Sequence, residues 1–307
     1  MTSVSSAQSE TPSHSSGPDH AAATLTINLD ALMANYKWLS KKFTGRHVGA
    51  AVKANAYGTG QPFAAPALFK AGCRIYFVAV LGEGIELREI LGPEPEIYVL
   101  AGVNKSEISE FRAHNLIPVL NHLGQIEDWS GAATSDNALW SAALHVDTGM
   151  ARLGLPDDEF QTLLAEHNRL SSVDLKLVMT HLASGDEPDN PNNLIQRNSF
   201  QEIAARFPDA EASLANGAGI LLGPEYHFDV ARVGLALYGG NPFGSGPNPM
   251  SEVVHLKAKI LQVRKIDSPQ GVGYGATHRA TGPARIATIP VGYADGYPRS
   301  LGNRGFA

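Results

Sequence analysis

The chain has 307 residues, of which 43% are hydrophobic and 18% are charged, and its net charge is −6 at pH 7. This composition predicts a sizeable core and excludes global disorder, and the acidic balance argues against nucleic acid or an anionic membrane surface as the main partner. Cys73 is the only cysteine, which excludes an internal disulfide framework and a cysteine-rich metal site and favours a reducing, cytoplasmic compartment.

The first 22 residues are rich in Ser, Thr, His and Ala and contain no Lys, Arg or apolar run. They lack the basic start and the hydrophobic segment of a secretory signal, so we expect a disordered tail. Residues 23–29 alternate like a strand, which we expect to pair with a C-terminal β-domain, and Asp30 can cap the helix that follows. The longest apolar stretches are too short to span a bilayer, which predicts a protein without a membrane partner.

From residue 30 to residue 240, strand-like and helix-like stretches alternate. Eight strands are predicted at residues 48–53, 75–80, 97–100, 117–120, 142–146, 175–181, 212–215 and 228–232, and helix-like stretches include 62–70, 106–114, 157–169 and 194–206. This pattern predicts an α/β fold, a (β/α)8 TIM-type barrel over residues 30–240, with a doubly wound open sheet as the alternative. The barrel is favoured because it brings to one mouth a set of polar residues at strand ends: Lys53, Arg152, His181, Asn216 and Arg232.

Beyond residue 240 the character of the sequence changes. Residues 241–249 are rich in Gly, Pro and Asn, as in a linker. Strand-like stretches at 253–263 and 284–291, with turn-rich segments between them, predict an all-β C-terminal domain over residues 241–307. No closing strand or helix follows, so we expect this domain to be incomplete.

The most specific chemistry lies in the stretch Val52-Lys53-Ala54-Asn55-Ala56-Tyr57-Gly58-Thr59-Gly60. A lysine at the end of an apolar strand is desolvated, which lowers its pKa and frees the amine to attack a carbonyl. Tyr57 and the glycines that open the next helix could hold an anion with a hydroxyl and backbone N–H groups. A carbonyl-reactive lysine beside a phosphate cradle indicates pyridoxal phosphate. For a lone lysine, the alternative is a surface side chain.

Three further blocks stand out: His145-Val146-Asp147-Thr148-Gly149-Met150-Ala151-Arg152-Leu153-Gly154, Gly273-Tyr274-Gly275-Ala276-Thr277, and Ile289 to Arg299 with the core Gly292-Tyr293-Ala294-Asp295-Gly296. With the lysine stretch, these blocks closely resemble the alanine racemase family, in the family's order, from about residue 24 to residue 299. The resemblance implies interconversion of L- and D-alanine, pyridoxal 5'-phosphate, no metal, a cytoplasmic homodimer with composite active sites, and supply of D-alanine for the cell wall.

The resemblance also assigns roles to single residues. Racemisation needs two bases on opposite faces of a planar intermediate, and these match Lys53, the Schiff-base lysine, and Tyr274, which in the family reaches the partner subunit's site. The remaining matches bind cofactor or substrate: Tyr57, Asn216, Gly217, Gly234 and Leu235 at the phosphate, Arg232 at the pyridine nitrogen, His181 beside the ring and bonded to Arg232, Arg152 at the substrate carboxylate, and Tyr293 at the entrance. On the residues alone, a packed hairpin residue is favoured for Tyr274 and a structural histidine for His181. For Arg232 the alternative is a surface ion-pairing residue, which the apolar run after it disfavours.

The chain departs from the family pattern in three places. His145 replaces a lysine that is carbamylated in many members and positions the arginine that corresponds to Arg152, so we expect no carbon dioxide dependence. Gly217 replaces a phosphate-binding serine. In the family, a further C-terminal segment carries a Met-Asp pair at the substrate pocket and a tyrosine at the phosphate. This sequence has no counterpart of that segment after residue 307. Three alternative functions therefore stay open: a broader-specificity or serine racemase, a decarboxylase on the same architecture, and a truncated cofactor-binding protein without catalysis.

Overall fold

The computed structural model describes residues 21–304, apart from the side chain of His167. The predicted N-terminal tail therefore lies outside the described residues except for its last two. Within the described part, the chain divides into two compact units. One is Ile27–Val254, and the other combines residues 21–26 with residues 255–304.

The larger unit contains one eight-stranded parallel sheet. Its strands are β2 (His47–Ala51), β3 (Ile75–Val78), β4 (Glu96–Val99), β5 (Ile117–Leu120), β6 (Trp140–His145), β7 (Val173–Met179), β8 (Glu211–Ser213) and β9 (Val230–Val233), in the spatial order β8-β7-β6-β5-β4-β3-β2-β9. Backbone hydrogen bonds from Asp229 to Ala212 (2.9 Å) and from Arg232 to Ala215 (2.8 Å) join the two ends of this order. The sheet is thus closed, which confirms the predicted barrel and excludes the open sheet.

The helices of this unit are α1 (Leu29–Lys42), α2 (Gln61–Lys70), α3 (Leu81–Leu91), α4 (Ile108–Ala113), α5 (Leu123–Ser135), α6 (Asp157–Ala165), α7 (Pro191–Ala204) and α8 (Gly217–Leu222). The predicted cap of α1 is wrong: the Asn28 side chain, and not that of Asp30, accepts the N–H of Ala31 at 3.0 Å. Asp30 lies in the first turn, where a carboxylate favours the positive end of the helix dipole. The predicted helix 157–169 ends early, because residues His167–Leu170 form a separate 3-10 turn.

Both faces of the barrel sheet are buried. One cluster of side chains fills the inside, where Phe77 stacks on Tyr98 with ring centroids 5.2 Å apart. The alternate residues Tyr76 and Val78 belong to the second cluster, which includes residues of the surrounding helices. A parallel strand that is buried on both faces has a continuous run of apolar residues in its sequence, and β3 is an example. The packed interior leaves the strand ends as the place for a site.

The smaller unit is built from short strands. β1 (Ala23–Ile27) pairs with β10 (Val254–Ala258), β11 (Gln262–Ile266) pairs antiparallel with β14 (Ala284–Thr288), and β12 (Gln270–Val272) pairs antiparallel with β13 (His278–Ala280). The 3-10 turn Tyr274–Ala276 joins β12 to β13, and two more such turns, Tyr293–Asp295 and Arg299–Leu301, follow β14. Within residues 21–304, none of the helices has the length and apolar character that crossing a bilayer requires.

Candidate active site

A cavity of about 610 Å³, here called the barrel cavity, opens where the barrel strands end. Every predicted site residue of the larger unit lines it: Lys53, Tyr57, Arg152, His181, Asn216, Gly217, Arg232, Gly234 and Leu235. His145 lines it as well. Its volume is in the range of sites for small organic ligands. Three of the lining side chains are cationic types, so the barrel cavity suits a ligand with anionic groups.

The lysine stretch adopts a conformation that the sequence did not predict. Ala54, Asn55 and Ala56 have φ of 52–54° and ψ of 50–52°, and Tyr57 has φ of 55°, so these residues form a left-handed helical turn. L-residues pay roughly 1–2 kcal/mol each for this conformation. Hydrogen bonds hold the turn, among them those from Ala56 N–H to the Val52 carbonyl (2.9 Å) and from Gln61 N–H to Asn55 Oδ1 (2.7 Å).

Lys53 lies at the start of this turn and is only partly buried. Burial lowers the pKa of its amine, the positive charge of Arg152 lowers it further, and Glu83 acts in the opposite direction. The desolvated lysine expected from the sequence is therefore present. A lower pKa increases the neutral fraction of the amine, which is the form that attacks a carbonyl or accepts a proton.

The Tyr57 hydroxyl lies against the backbone of Gly234. A Cβ atom added to Gly234 would come within 2.2 Å of Tyr57 Oη, so a larger residue at this position would displace the Tyr57 hydroxyl. The ring of Tyr57 stacks on Tyr238 at a centroid distance of 4.7 Å, and the Tyr238 hydroxyl donates to the Ala51 carbonyl at 3.0 Å. Burial raises the pKa of Tyr57, so its hydroxyl remains a neutral donor. This packing directs the Tyr57 hydroxyl, a hydrogen-bond donor, along the wall of the barrel cavity.

Residues 216 and 217 begin helix α8 beside the same wall. Asn216 is the N-cap, and its Oδ1 accepts the N–H of Gly219 at 2.8 Å. A Cβ atom on Gly217 would lie 3.0 Å from the Cβ of Ala236, so a larger residue would require Ala236 to move. Glycine at position 217 therefore avoids a close contact with Ala236. The backbone N–H of Gly217 remains as a donor.

Arg232 is 5% exposed and is held by a dense set of acceptors. Its Nη1 donates to the Ser213 carbonyl at 2.9 Å, its Nη2 donates to the Thr180 carbonyl, and Nη2 also contacts Nδ1 of His181 at 3.1 Å. Burial lowers the pKa of the guanidinium to about 9, which leaves it charged at neutral pH. Because a guanidinium only donates, Nδ1 of His181 is the acceptor and its proton sits on Nε2. The surface ion-pair interpretation of Arg232 is wrong.

His145 is 7% exposed. Its proton lies on the opposite ring nitrogen from that of His181. Its Nδ1 lies 2.9 Å from Oδ1 of Asn121. The Asn121 amide group already donates to the carbonyls of Val119 (2.8 Å) and Leu100 (3.0 Å), so Oδ1 faces the histidine and accepts. His145 therefore carries its proton on Nδ1. Burial and the nearby charge of Arg232 lower its pKa to about 4, so the ring is neutral above pH 5.

Arg152 follows a loop that is organised by a carboxylate. Asp147 accepts the backbone N–H groups of Gly149 (2.9 Å), Met150 (2.8 Å) and Ala151 (2.8 Å). The side chain of Arg152 is exposed at the barrel cavity and has no hydrogen bond or ion pair with any residue in 21–304. Its five donors are thus available to a carboxylate, for which the planar guanidinium has the matching geometry.

The remaining two predicted residues belong to the smaller unit. Tyr274 is 96% exposed and Tyr293 is 71% exposed. Tyr274 lies between Gly273 and Gly275, which have φ of 72° and 65° and which shape the turn that presents it. The alternative of a packed hairpin tyrosine is therefore wrong. Sequence reasoning missed Asn121 and Glu83, because each acts through hydrogen bonds that only the fold reveals.

Two family models match the chain. "Alanine racemase, N-terminal domain" matches residues 27–242, and "Alanine racemase, C-terminal domain" matches residues 253–307. The chain is 50% identical to the alanine racemase of Rhodospirillum rubrum over 287 residues, which cover 93% of this chain and 77% of that protein. It is 50% identical to the alanine racemase of Acidiphilium cryptum over 281 residues, covering 92% and 78%.

Comparison with solved structures also finds alanine racemases. The crystal structure of alanine racemase from Bartonella henselae with covalently bound pyridoxal phosphate superimposes with a TM-score of 0.85 at 38% identity, over 92% of this chain and 78% of that one. The biosynthetic alanine racemase from Pseudomonas aeruginosa superimposes with a TM-score of 0.83 at 33% identity, over 91% and 78%.

Proposed function

Because the chain belongs to the alanine racemase family, we propose that it interconverts L- and D-alanine with pyridoxal phosphate in the barrel cavity. The observation that carries this proposal is the convergence of Lys53, Arg152, Arg232 and Tyr57 on that one cavity. These residues supply a carbonyl-reactive amine, two cations and a neutral hydroxyl donor. A small amino acid and an aldehyde with a phosphate group require these functions.

The residues present fit pyridoxal phosphate. The close approach of Tyr57 to Gly234 and the backbone N–H of Gly217 would hold the phosphate, with Leu235 beside them. Lys53 would hold the aldehyde carbon, and Arg232 would face the ring nitrogen with His181 fixed next to it. When bound, the cofactor supplies an electron sink that makes the α-proton of an amino acid acidic. Arg232 keeps its proton at neutral pH, so it would donate a hydrogen bond to the ring nitrogen without protonating it.

Lys53 and Tyr274 are the proposed bases. The lowered pKa of Lys53 lets its amine accept the α-proton on one face, and racemisation needs a second base on the opposite face. The exposed Tyr274 would serve a second copy of the chain in a homodimer with composite sites. Arg152 would bind the substrate carboxylate in a bidentate manner, at the end of the loop that Asp147 organises. Tyr293 would line the entrance.

The test is racemisation by the 307-residue chain with added pyridoxal phosphate. We expect L-alanine to racemise, and the Tyr274→Phe variant to retain the visible absorbance of the bound cofactor while losing exchange of the L-alanine α-proton with deuterated solvent. Tyr297→Phe, in the same unit, is the matched control and should exchange normally. Retained exchange in Tyr274→Phe contradicts the two-base assignment.

Three further outcomes separate the alternatives. Faster turnover of L-serine than of L-alanine identifies a serine or broad-specificity racemase. Release of carbon dioxide identifies a decarboxylase. Visible absorbance of bound cofactor without turnover of any amino acid identifies a non-catalytic cofactor-binding protein.

A further inference from the structure

We propose that Glu83 is a positioning residue of this site: it anchors the left-handed turn that presents Lys53, and its negative charge acts on the Lys53 amine. This inference rests on the proposed function only for the part that concerns catalysis. Glu83 lies in the first turn of α3, does not line the barrel cavity and belongs to none of the sequence blocks that carry the family resemblance.

The geometry joins two strand ends through one carboxylate. Oε1 of Glu83 accepts the N–H of Ala54 at 2.6 Å, and Oε2 accepts the N–H of Ala79 at 2.7 Å. Ala54 is the residue directly after Lys53, and Ala79 directly follows β3. Both bonds are short, as expected for charge-assisted hydrogen bonds. Glu83 thereby fixes the backbone that leaves β2 against the backbone that leaves β3.

This anchor acts where the backbone is strained. Ala54 is the first of the four residues with left-handed φ, so its N–H direction determines how the turn departs from β2. Within residues 21–304, Glu83 provides the side-chain hydrogen bond that reaches the turn from another element, since the Asn55 bond to Gln61 is local. Strained backbone persists only where its surroundings over-determine it. Without Glu83, the turn would lose the contact that fixes its first residue.

The charge of Glu83 opposes the other influences on Lys53. Burial and Arg152 lower the pKa of the amine, whereas Glu83 raises it. The other titratable groups at the barrel cavity are Tyr57, His145, His181, Asp186 and Arg232. The acid that raises the pKa of Lys53 is Glu83, which lies outside the cavity lining. Removal of its charge therefore lowers the pKa of Lys53 further, and the pH at which the amine becomes neutral falls.

Two substitutions separate the anchor from the charge. Glu83→Gln removes the charge and keeps one oxygen that can accept one of the two N–H groups, whereas Glu83→Ala removes the charge and both bonds. Glu86→Gln, one turn later on the exposed side of α3, makes the same charge change and is the matched control. All variants are made in the full chain.

The first readout does not depend on racemisation. The pH dependence of Lys53 acetylation by acetic anhydride, measured by mass spectrometry without added cofactor, reports the titration of the amine. We expect its midpoint to fall in Glu83→Gln and Glu83→Ala and to stay at the wild-type value in Glu86→Gln. Amide hydrogen exchange at Ala54 and Ala79 should accelerate at least tenfold in Glu83→Ala. An unchanged midpoint together with unchanged exchange overturns the inference.

The second readout is catalytic. We expect kcat for L-alanine to fall at least tenfold in Glu83→Ala and less in Glu83→Gln, with the limb of the pH–rate profile that belongs to Lys53 displaced to lower pH in both. A lower kcat with an unmoved limb would mean that the role of Glu83 is purely structural. That result would overturn the proposal that the charge of Glu83 acts on the Lys53 amine. If the wild-type chain does not racemise alanine and the acetylation midpoint still falls, the proposed function is wrong and the role of Glu83 stands.

Discussion

The two histidines at the barrel cavity carry their protons on opposite ring nitrogens. In each case the position of the proton is fixed by a hydrogen-bond partner that can only donate or only accept. Arg232 can only donate to His181, and the Asn121 oxygen can only accept from His145. His145 therefore keeps Nε2 as a lone-pair acceptor. That His145 replaces a carbamylated lysine of the family, and that the protein needs no carbon dioxide, stay predictions.

The acid stability of the protein should depend on His145. Its pKa is about 4 in the folded chain and 6.5 ordinarily, so between these values the unfolded chain binds the proton and the folded chain does not. Stability is thus complete above pH 6.5 and is lost as the pH falls towards 4, by about 2 kcal/mol at pH 5. Urea unfolding of wild type and His145→Gln at pH 8 and pH 5 measures this.

We expect the wild type to lose about 2 kcal/mol more than His145→Gln between these two pH values. His181 has a lowered pKa as well, but it is present in both proteins and cancels in the comparison. Equal losses in the two proteins would show that His145 titrates normally in the folded chain.

Residue roles were predictable from the sequence only where a motif carries them. Lys53, Tyr57 and Arg152 lie in recognisable blocks, and all of them line the barrel cavity. The tautomer of His145 was not predictable, because it depends on Asn121, which is 24 positions away and in no such block.

At the scale of elements, the regular strands were predictable and the turn after β2 was not. The eight barrel strands lie within a few residues of their predicted places, since apolar runs identify a strand while its ends depend on hydrogen bonds to neighbours. Alanine is the best right-handed helix former, so Ala54 and Ala56 predict the opposite of the observed handedness. The fold overrides this local preference through the Glu83 and Asn55 hydrogen bonds.

The left-handed turn predicts an unusual response to a small substitution. Ala54 is exposed, so Ala54→Val meets no packing obstacle, but a β-branched residue is strongly disfavoured at positive φ. Alanine already carries the cost of the left-handed conformation, so we expect the β-branched side chain to add a further loss of roughly 1 kcal/mol in the free energy of unfolding. Ala205→Val, at an exposed right-handed position with φ of −63°, should lose only about 0.5 kcal/mol. Similar losses in urea unfolding would mean that the turn is not left-handed in solution.

At the scale of the whole molecule, the two proposed bases lie in different units of the chain. The larger unit holds Lys53 and the cofactor residues, while Tyr274 belongs to the smaller unit and is almost fully exposed. The sequence indicated both units through the change of character near residue 241. It could not indicate the exposure of Tyr274, because a single hairpin tyrosine is packed or free depending on the strands around it.

A mixing experiment tests the composite site. Lys53→Ala and Tyr274→Phe should each be inactive towards L-alanine. If one copy supplies Lys53 and its partner supplies Tyr274, a mixed dimer has one complete site and one doubly altered site. Mild dissociation and random reassociation of equal amounts should therefore restore roughly a quarter of the wild-type activity, since half of the dimers are mixed and half of their sites are complete. Each variant reassociated alone is the control, and no recovery on mixing contradicts the shared site.

The handedness of the turn after β2 has a consequence for chemical synthesis of the chain. A D-residue has the same preference for positive φ and ψ that an L-residue has for the right-handed region, because the two are mirror images. The backbone at Ala54 is thus strained in the residue that the ribosome inserts and relaxed in its enantiomer. A chain assembled by ligation with D-alanine at position 54 would keep the N–H that Glu83 binds and lose the strain. D-Alanine, a product of the proposed reaction, is thus the residue that best suits the turn beside the proposed catalytic lysine.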